Sequence, residues 1–231
     1  MTPKLTPKRV FLTPLFALLC ATSAHAIAPH DRWVDGDVAF VCREISDSLR
    51  FIMLQMQSVR EGVAKGLVVW DDLRHLRVLH KDAEGVVHRG EMVVNKSIAK
   101  DVLEIFFKLY EAGYPIERMC LMDRYNGDDE ASMCDNNTSS FNFRMVEGAT
   151  SLSRHARGMA VDINPLYNPC VRQRSGQTQV QPATARPYID RTTPSPYILR
   201  RGDLCHTLFV QHGFRWGGAW RSLKDYQHFE K

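Results

Sequence analysis

The chain has 231 residues, of which 44% are hydrophobic and 24% charged, and its formal net charge is +4. This composition is ordinary for a globular protein and leaves room for one sizeable core. Three basic residues lie within the first nine positions without an acidic neighbour, so the chain beyond this segment carries a net charge of only +1. That balance excludes the strongly basic surface of a nucleic-acid-binding protein.

Residues 1–26 have the features of a secretory signal peptide. Basic residues precede an apolar run over residues 10–19, and Ala24-His25-Ala26 follows as a small-residue cleavage site. A membrane anchor is the alternative, but the run is too short to span a bilayer comfortably. Lipidation at Cys20 is a minor alternative, because the bulky Leu19 stands where a small residue is normally required. We therefore expect an exported protein, periplasmic or cell-wall associated, with no stable membrane insertion after cleavage.

Five cysteines follow the predicted signal peptide: Cys42, Cys120, Cys134, Cys170 and Cys205. Export permits disulfides, and an odd number leaves at least one thiol free. Proximity in sequence favours pairs between Cys120 and Cys134 and between Cys170 and Cys205, each stabilising the fold by roughly 3 kcal/mol or more. Five free thiols are the alternative.

The first half of the chain predicts mostly helical structure. Apolar residues recur at helical spacing over residues 37–66, which predicts one long amphipathic helix. Glu84-Gly85 then predicts a turn before a strand over residues 86–95. A second helix is predicted from a cap at Ser97 to a stop at Gly113.

The second half predicts shorter elements. Residues 119–122 read as a strand and residues 126–140 as a polar loop. A strand over residues 158–163 places Met159, Val161 and Ile163 on one face and points Asp162 away from the core. Residues 164–202 contain six prolines and little periodicity, which predicts a functional lid or a binding loop, with disorder as the alternative. Asp203 is expected to cap a last helix that ends at Gly213.

Two short segments carry the candidate chemistry, namely residues 153–162 and residues 225–230. A catalytic zinc takes three ligands from histidine and carboxylate side chains and keeps a fourth position open. His155, Asp162 and His228 meet that requirement if the fold brings the C-terminus to the first segment. Each of these residues taken alone is more often structural.

Asp225 is a candidate general base. It precedes His228 by three residues, which places both side chains on one side of a helical turn or a bent segment but not of a regular strand. A carboxylate there can take a proton from a zinc-activated water and return it to the leaving amine. The remaining histidines lack a good ligand spacing, and we interpret them as non-catalytic.

These motifs resemble the family of zinc D-alanyl-D-alanine carboxypeptidases and L-alanyl-D-glutamate endopeptidases, which includes vancomycin-resistance dipeptidases and phage endolysins. The resemblance rests on Ser153-x-His155, Gly158, Ala160, Asp162 and the C-terminal Asp225-x-x-His228. It covers roughly residues 75–231, the expected catalytic core. Residues 27–74, expected to form an N-terminal helical part of the same single domain, are not matched.

The resemblance implies an α+β fold of the hedgehog and D,D-peptidase type, in which helices flank a small antiparallel sheet that carries a zinc cleft. It implies that His155, Asp162 and His228 bind Zn²⁺. It also implies an arginine that binds the substrate carbonyl as it becomes an oxyanion. Arg144 is the first candidate and Arg124 the second, because the usual sequence around this arginine is absent.

The resemblance also implies a substrate class, the stem peptides of peptidoglycan. In this family the acid of the last motif is glutamate in carboxypeptidases and dipeptidases and aspartate in many endopeptidases, so Asp225 favours an L,D-endopeptidase. A non-catalytic wall-binding module stabilised by zinc is one alternative. A metallohydrolase of esters or phosphates is another, although phosphate chemistry usually recruits two metals. We expect a monomer.

Overall fold

The computed structural model describes residues 39–146 and 149–231. The predicted signal peptide, including Cys20, and His30 lie outside the described residues. The described residues all lie in one compact unit. Within the described ranges, no helix has both the length and the apolar character needed to cross a membrane.

The N-terminal sheet has three antiparallel strands in the order β1-β2-β3. These are β1 (Val41–Glu44), β2 (Leu73–Lys81) and β3 (Val87–Asn95). The carboxylate of Asp82 shapes the turn between β2 and β3 by accepting hydrogen bonds from the backbone of Glu84 and Val86. The strand predicted over residues 86–95 and its hairpin are confirmed, whereas β1 and β2 were not predicted.

The single long helix predicted over residues 37–66 is wrong. After β1 the chain forms two short helices, α1 (Asp47–Met53) and α2 (Gln57–Ala64). The Ser46 hydroxyl caps α1 by accepting from the backbone of Leu49, and the extended backbone of Met56 separates the two helices. Helical spacing persists across the break because both helices bury their apolar faces in one core cluster.

Helix α3 (Ala99–Glu111) packs on the sheet and confirms the second predicted helix. It ends before Gly113, which has the left-handed φ of 68° that favours glycine. The cap at Ser97 is wrong: Ile98 occupies the N-cap position, and the Ser97 hydroxyl donates instead to Asn95 Oδ1 at 2.8 Å.

The segment after α3 differs from its prediction in two places. Residues 119–122 do not form a strand; they run extended beside β3 with one backbone hydrogen bond, from Glu91 N to Met119 O, before a 3₁₀ turn. The predicted polar loop contains helix α4 (Asp129–Cys134), which Asp128 caps by accepting from Ala131 N. Because the residues of α4 are mostly polar, the sequence did not indicate a helix there.

Two further three-stranded antiparallel sheets complete the fold. One has the order β4-β9-β7 and consists of β4 (Ala160–Asp162), β7 (Arg215–Trp216) and β9 (His228–Glu230). The other has the order β6-β5-β8 and consists of β5 (Cys170–Arg174), β6 (Gln177–Gln181) and β8 (Leu223–Asp225). The predicted strand at residues 158–163 is therefore confirmed in a shorter form, with Val161 and Ile163 in the core.

Residues 164–202 are neither a structureless lid nor disordered, because they contain the β5–β6 hairpin and a 3₁₀ segment (Ala183–Ile189). Helix α5 (Leu204–Gln211) follows and is confirmed with its Asp203 cap and with Gly213 beyond its end. The molecule is thus α+β with small antiparallel sheets and several helices. The hedgehog and D,D-peptidase type of this fold stays a prediction.

The five described cysteines are all free thiols, so both predicted disulfides are wrong. Each sulfur has other neighbours: Cys120 Sγ lies 3.3 Å from Asn137 Oδ1, and Cys134 Sγ lies 3.3 Å from Thr184 Oγ1. Cys205 is buried in the apolar core, whereas Cys170 lines a surface cavity. Closeness in sequence did not predict closeness of these side chains.

Candidate active site

The two motif segments meet where β4 pairs with β9. In this antiparallel pair Asp162 lies directly opposite His228, so both side chains project from the same face of the sheet. The convergence of the C-terminus with residues 155–162, on which the predicted metal site depended, is present. Asp162 is on the face opposite to the core residues Val161 and Ile163, as the strand alternation predicted.

His155 reaches the same point through a sharp bend. It begins a 3₁₀ turn (His155–Arg157) that ends at Gly158, whose φ of 65° lies in the left-handed region. A Cβ at this glycine would lie 2.7 Å from the backbone nitrogen of Asn95, which donates a hydrogen bond to Gly158 O at 2.8 Å. Only glycine combines this backbone conformation with so close an approach to the end of β3.

The three side chains form a tight triangle of ligand atoms. His155 Nε2 lies 3.1 Å from His228 Nδ1 and 3.1 Å from Asp162 Oδ2, and His228 Nδ1 lies 3.0 Å from Asp162 Oδ1. Tetrahedral zinc with bonds of 2.0–2.1 Å separates its ligand atoms by about 3.3 Å. The donor set therefore fits a zinc ion in both chemistry and spacing, and it is the one such group of three found in the described ranges.

Neighbouring acceptors orient both imidazoles toward that centre. His155 Nδ1 donates to the carbonyl of Ser140 at 2.7 Å, which leaves the lone pair on Nε2. His228 Nε2 donates to Glu230 Oε2 at 3.3 Å, which leaves the lone pair on Nδ1. Such outer partners fix the tautomer and ring orientation of metal-binding histidines.

The pKa shifts show that this triangle stabilises positive charge at its centre. Burial alone would raise the pKa of Asp162, but the charge of His155 and hydrogen bonds from both imidazoles hold it well below its usual range. Burial alone would lower the pKa of His228, yet the hydrogen bonds to Asp162 and Glu230 raise it to about 10. A site that binds an extra proton so strongly is also suited to a divalent cation.

Asp225 lies in the same cavity, at the end of β8. The bend at residues 226 and 227 joins β8 to β9 and is the kind of segment that the three-residue spacing predicted. Burial raises the pKa of Asp225 to about 6, although the positive charge of His228 opposes this shift. Its Oδ1 is buried and has no hydrogen-bond partner in the described part of the chain. Such an acceptor is available to a substrate or a water molecule.

Arg144 lines the cavity, and Arg124 does not. The Arg144 guanidinium pairs with Asp129 through a 2.9 Å contact from Nη2 to Oδ2, while Nε is buried without a partner. Its positive charge also lowers the pKa of Asp225, against the larger effect of burial. Of the two candidate arginines, only Arg144 is therefore part of the cavity wall.

The cavity has a volume of about 340 Å³, near the lower end for ligand pockets. Trp220 forms part of its wall, with its ring centroid 5.3 Å from that of His228. Trp216 is instead a core residue whose indole donates to the carbonyl of Tyr226. The Ser153 hydroxyl accepts from the backbone of His155 at 3.2 Å and so shapes the turn that holds this ligand.

The other described histidines take part in unrelated contacts. His75 pairs with Glu91, His88 with Asp82 and His212 with Asp101, while His80 bonds to the carbonyl of Ile116. His206 Nδ1 accepts from the backbone of Gly202. None of them lines the cavity, and their interpretation as non-catalytic stays a prediction.

One comparison with known proteins gives a match. Residues 147–231 match the family model described as D-alanyl-D-alanine carboxypeptidase, and this range contains His155, Asp162, Asp225 and His228. Over this range, which is less than half of the chain, the sequence is similar to that family of zinc peptidases. No curated protein and no solved structure matches the chain. The family match supports a zinc metallopeptidase, with hydrolysis in peptidoglycan as its general activity.

Several residues of this peptidase site were not predicted from the sequence. Glu230 stood inside the second motif segment without a role, and its spacing of two from His228 on a strand could have indicated a shared face. Ser140 acts through its carbonyl, which no side-chain pattern reveals. Asp129, on the polar helix α4, and Cys170, on β5, reach the cavity only through tertiary packing.

Proposed function

We propose that this peptidase cuts peptide bonds within peptidoglycan stem peptides as a zinc-dependent L,D-endopeptidase. The observation that carries the proposal is the convergence of two oriented imidazoles, one carboxylate and the partnerless carboxylate oxygen of Asp225 in a single cavity. A purely structural metal site is normally closed by four protein ligands. Here three ligands face an open cleft.

The geometry supports a role for each of these residues. His155, Asp162 and His228 would hold the zinc ion, which supplies Lewis acidity and lowers the pKa of a water molecule to about 7. Asp225 would accept the proton of the attacking water at Oδ1 and later return it to the leaving amine. Arg144, kept in place by Asp129, would bind the carbonyl oxygen of the cut bond as negative charge develops there.

The choice of an endopeptidase rests on Asp225. Aspartate at this position is typical of endopeptidases in the family that the chain resembles, whereas glutamate is typical of its carboxypeptidases. Incubation of the zinc-loaded protein with muropeptides, followed by mass analysis of the products, tests the choice. Release of a terminal D-alanine alone would identify a carboxypeptidase instead of an endopeptidase. If no stem peptide showed chelator-sensitive cleavage, the proposed function would be refuted.

Variants at the site separate metal binding from chemistry. We expect His155→Ala and His228→Ala to lose bound zinc, whereas Arg144→Ala should retain zinc and lower turnover. Asp225→Asn should retain zinc and lower kcat by about 10²–10⁴-fold, the usual contribution of a general base. Metal analysis beside steady-state kinetics gives both readouts. Stoichiometric zinc in both histidine variants would refute the ligand roles.

A non-catalytic wall-binding module is the alternative function. It has no use for a buried acid beside the metal site, so it predicts that Asp225→Asn leaves both zinc content and wall binding unchanged. We also propose that the protein acts outside the cytoplasm as an exported, periplasmic or wall-associated enzyme, on the basis of residues 1–26. Fractionation of cells that express the full chain, with Ala24 and Ala26 exchanged for bulky residues as the control, tests export.

A further inference from the structure

The β5–β6 hairpin contributes a cation to the active-site cavity. Arg172 on β5 is half-buried and lines the cavity beside the metal-site residues. Its guanidinium makes no hydrogen bond or ion pair with any described residue. A guanidinium that is partly removed from water and has no protein anion is suited to an anionic ligand.

The other charged groups of the cavity already have partners. Arg144 pairs with Asp129 at 2.9 Å, and Glu230 pairs with Arg215 at 2.6 Å and with Arg154 at 4.0 Å. The carboxylate of Asp162 lies between two imidazoles. The remaining acid, Asp225, pairs with Cys170 in the sheet and not with Arg172. No anion of the described residues pairs with Arg172, so its guanidinium is available to the anion of a bound molecule.

The register of the sheet gives the separation along the strand between the backbones of Arg172 and the proposed base, Asp225. Cys170 pairs with Asp225, and Arg172 pairs with Leu223, which also lines the cavity. Two residues along a strand return to the same face after about 7 Å. Since an extended peptide advances about 3.3–3.6 Å per residue, the anion would lie about two residues from the bond that is cut.

We propose that Arg172 determines specificity by binding a carboxylate of the substrate close to the cut bond. This inference rests on the proposed function and narrows its substrate class to stem peptides with a free carboxylate at that distance. Two carboxylates of a stem peptide have this chemistry, one at the chain terminus and one on its D-glutamate. The planar guanidinium fork fits either in a bidentate manner, which an ammonium group does not reproduce.

Four synthetic stem peptides distinguish the two sources. They carry the terminal carboxylate and the D-glutamate carboxylate each either free or as the carboxamide. For the zinc-loaded parent protein we expect amidation of the recognised group to lower kcat/KM by about 10–100-fold, the size of a charge-assisted hydrogen bond. Arg172→Gln should lower kcat/KM for the free acid to the same degree. For this variant, amidation of the substrate should leave kcat/KM unchanged. Arg172→Lys should recover only part of the preference.

Arg174→Gln is the matched control, because it removes the same charge from the same strand at an exposed position outside the cavity. It should keep the full preference. Calorimetric binding of the four peptides to zinc-loaded Asp225→Asn and to Asp225→Asn with Arg172→Gln makes the test independent of turnover. If the protein bound the free carboxylate selectively but cleaved none of the peptides, the proposed reaction would be refuted and the role of Arg172 supported. Equal affinity for all four peptides, or an equal loss on all four in the Arg172 variants, would refute that role.

Discussion

At the scale of single residues, the metal site depends on groups that never touch the metal. Ser140 and Glu230 take the outward N–H of the two imidazoles, so the inward nitrogen of each ring faces the same point. The alternative tautomers would aim two N–H groups at each other across 3.1 Å. Preorganisation of this kind lowers the reorganisation that metal binding requires.

Replacement of Glu230 by glutamine tests this preorganisation. Glu230→Gln keeps the size of the side chain but weakens the acceptor for His228 Nε2–H, so zinc affinity should fall by about 10–100-fold. Competition with a chromogenic chelator measures the change. Arg215→Gln is the control, since it removes the 2.6 Å ion pair of Glu230 and leaves His228 untouched. An equal loss in both variants would assign the effect to the local ion pair.

The residue scale is also where sequence was most informative. Three ligands and a base can be chosen by type and spacing, because zinc accepts few side chains and the strand period decides which face Asp162 takes. The outer partners could not be chosen in this way. A carbonyl such as that of Ser140 is present at every residue, and only the fold selects the one that faces His155.

At the scale of elements, the bend at Gly158 links the stability of the fold to the geometry of the site. Gly158→Ala should lower the free energy of unfolding by more than the roughly 1–2 kcal/mol that a left-handed backbone costs an alanine, because its Cβ would also meet Asn95 N at 2.7 Å. The required shift would move His155, so zinc affinity should fall as well. Urea unfolding and zinc titration measure the two effects.

Gly176→Ala supplies the matched comparison. Gly176 has a similar φ of 76° in the β5–β6 turn, but a Cβ there meets nothing within 4 Å. It should show the backbone cost alone, with zinc affinity unchanged. If Gly158→Ala proved no more harmful than Gly176→Ala, the close approach to β3 would not matter for the site.

The cap of α5 should affect stability without affecting the metal. Asp203 accepts from the backbone of His206 at 2.8 Å and of Arg200 at 2.8 Å, and Phe209 of the same helix stacks on Phe229, next to His228. Asp203→Ala should reduce the free energy of unfolding by about 1–2 kcal/mol, and Asp203→Asn by less, because the amide oxygen still caps. Thermal unfolding measures both. A loss of zinc from folded Asp203→Ala would show that α5 positions the ligand strand.

Elements were predictable where one local signal dominated. The Asp203 cap and the apolar face of α3 each define a helix in the sequence alone, and the structure confirms both helices. The breaks were not predictable, because α1 and α2 keep one helical phase across the extended Met56. Strands β5 and β8 were missed for another reason: they are short and polar, and they form by pairing within a small sheet that also contains β6.

At the scale of the whole molecule, the site joins segments that are distant in sequence. His228 is the first residue of the last strand, β9, whereas His155 and Asp162 lie 66 or more positions earlier. The N-terminal sheet supports this junction, since the end of β3 holds Gly158 through the hydrogen bond from Asn95. The sequence predicted which residues form the site, but not the packing that brings them together. The five free thiols show that this packing is achieved without disulfides in the described part of the chain.

Zinc should therefore act as a cross-link of the folded chain. An unfolded chain does not hold His155, Asp162 and His228 together, so zinc at 100 times its dissociation constant should stabilise the fold by about 2.7 kcal/mol. For a chain of this size that corresponds to a rise in Tm of about 5–10 °C. Differential scanning calorimetry of chelated and zinc-loaded protein measures the shift. Magnesium should leave the Tm unchanged because it prefers oxygen ligands. His155→Ala should abolish the shift, and an undiminished shift in that variant would place the stabilising zinc somewhere other than between β4 and β9.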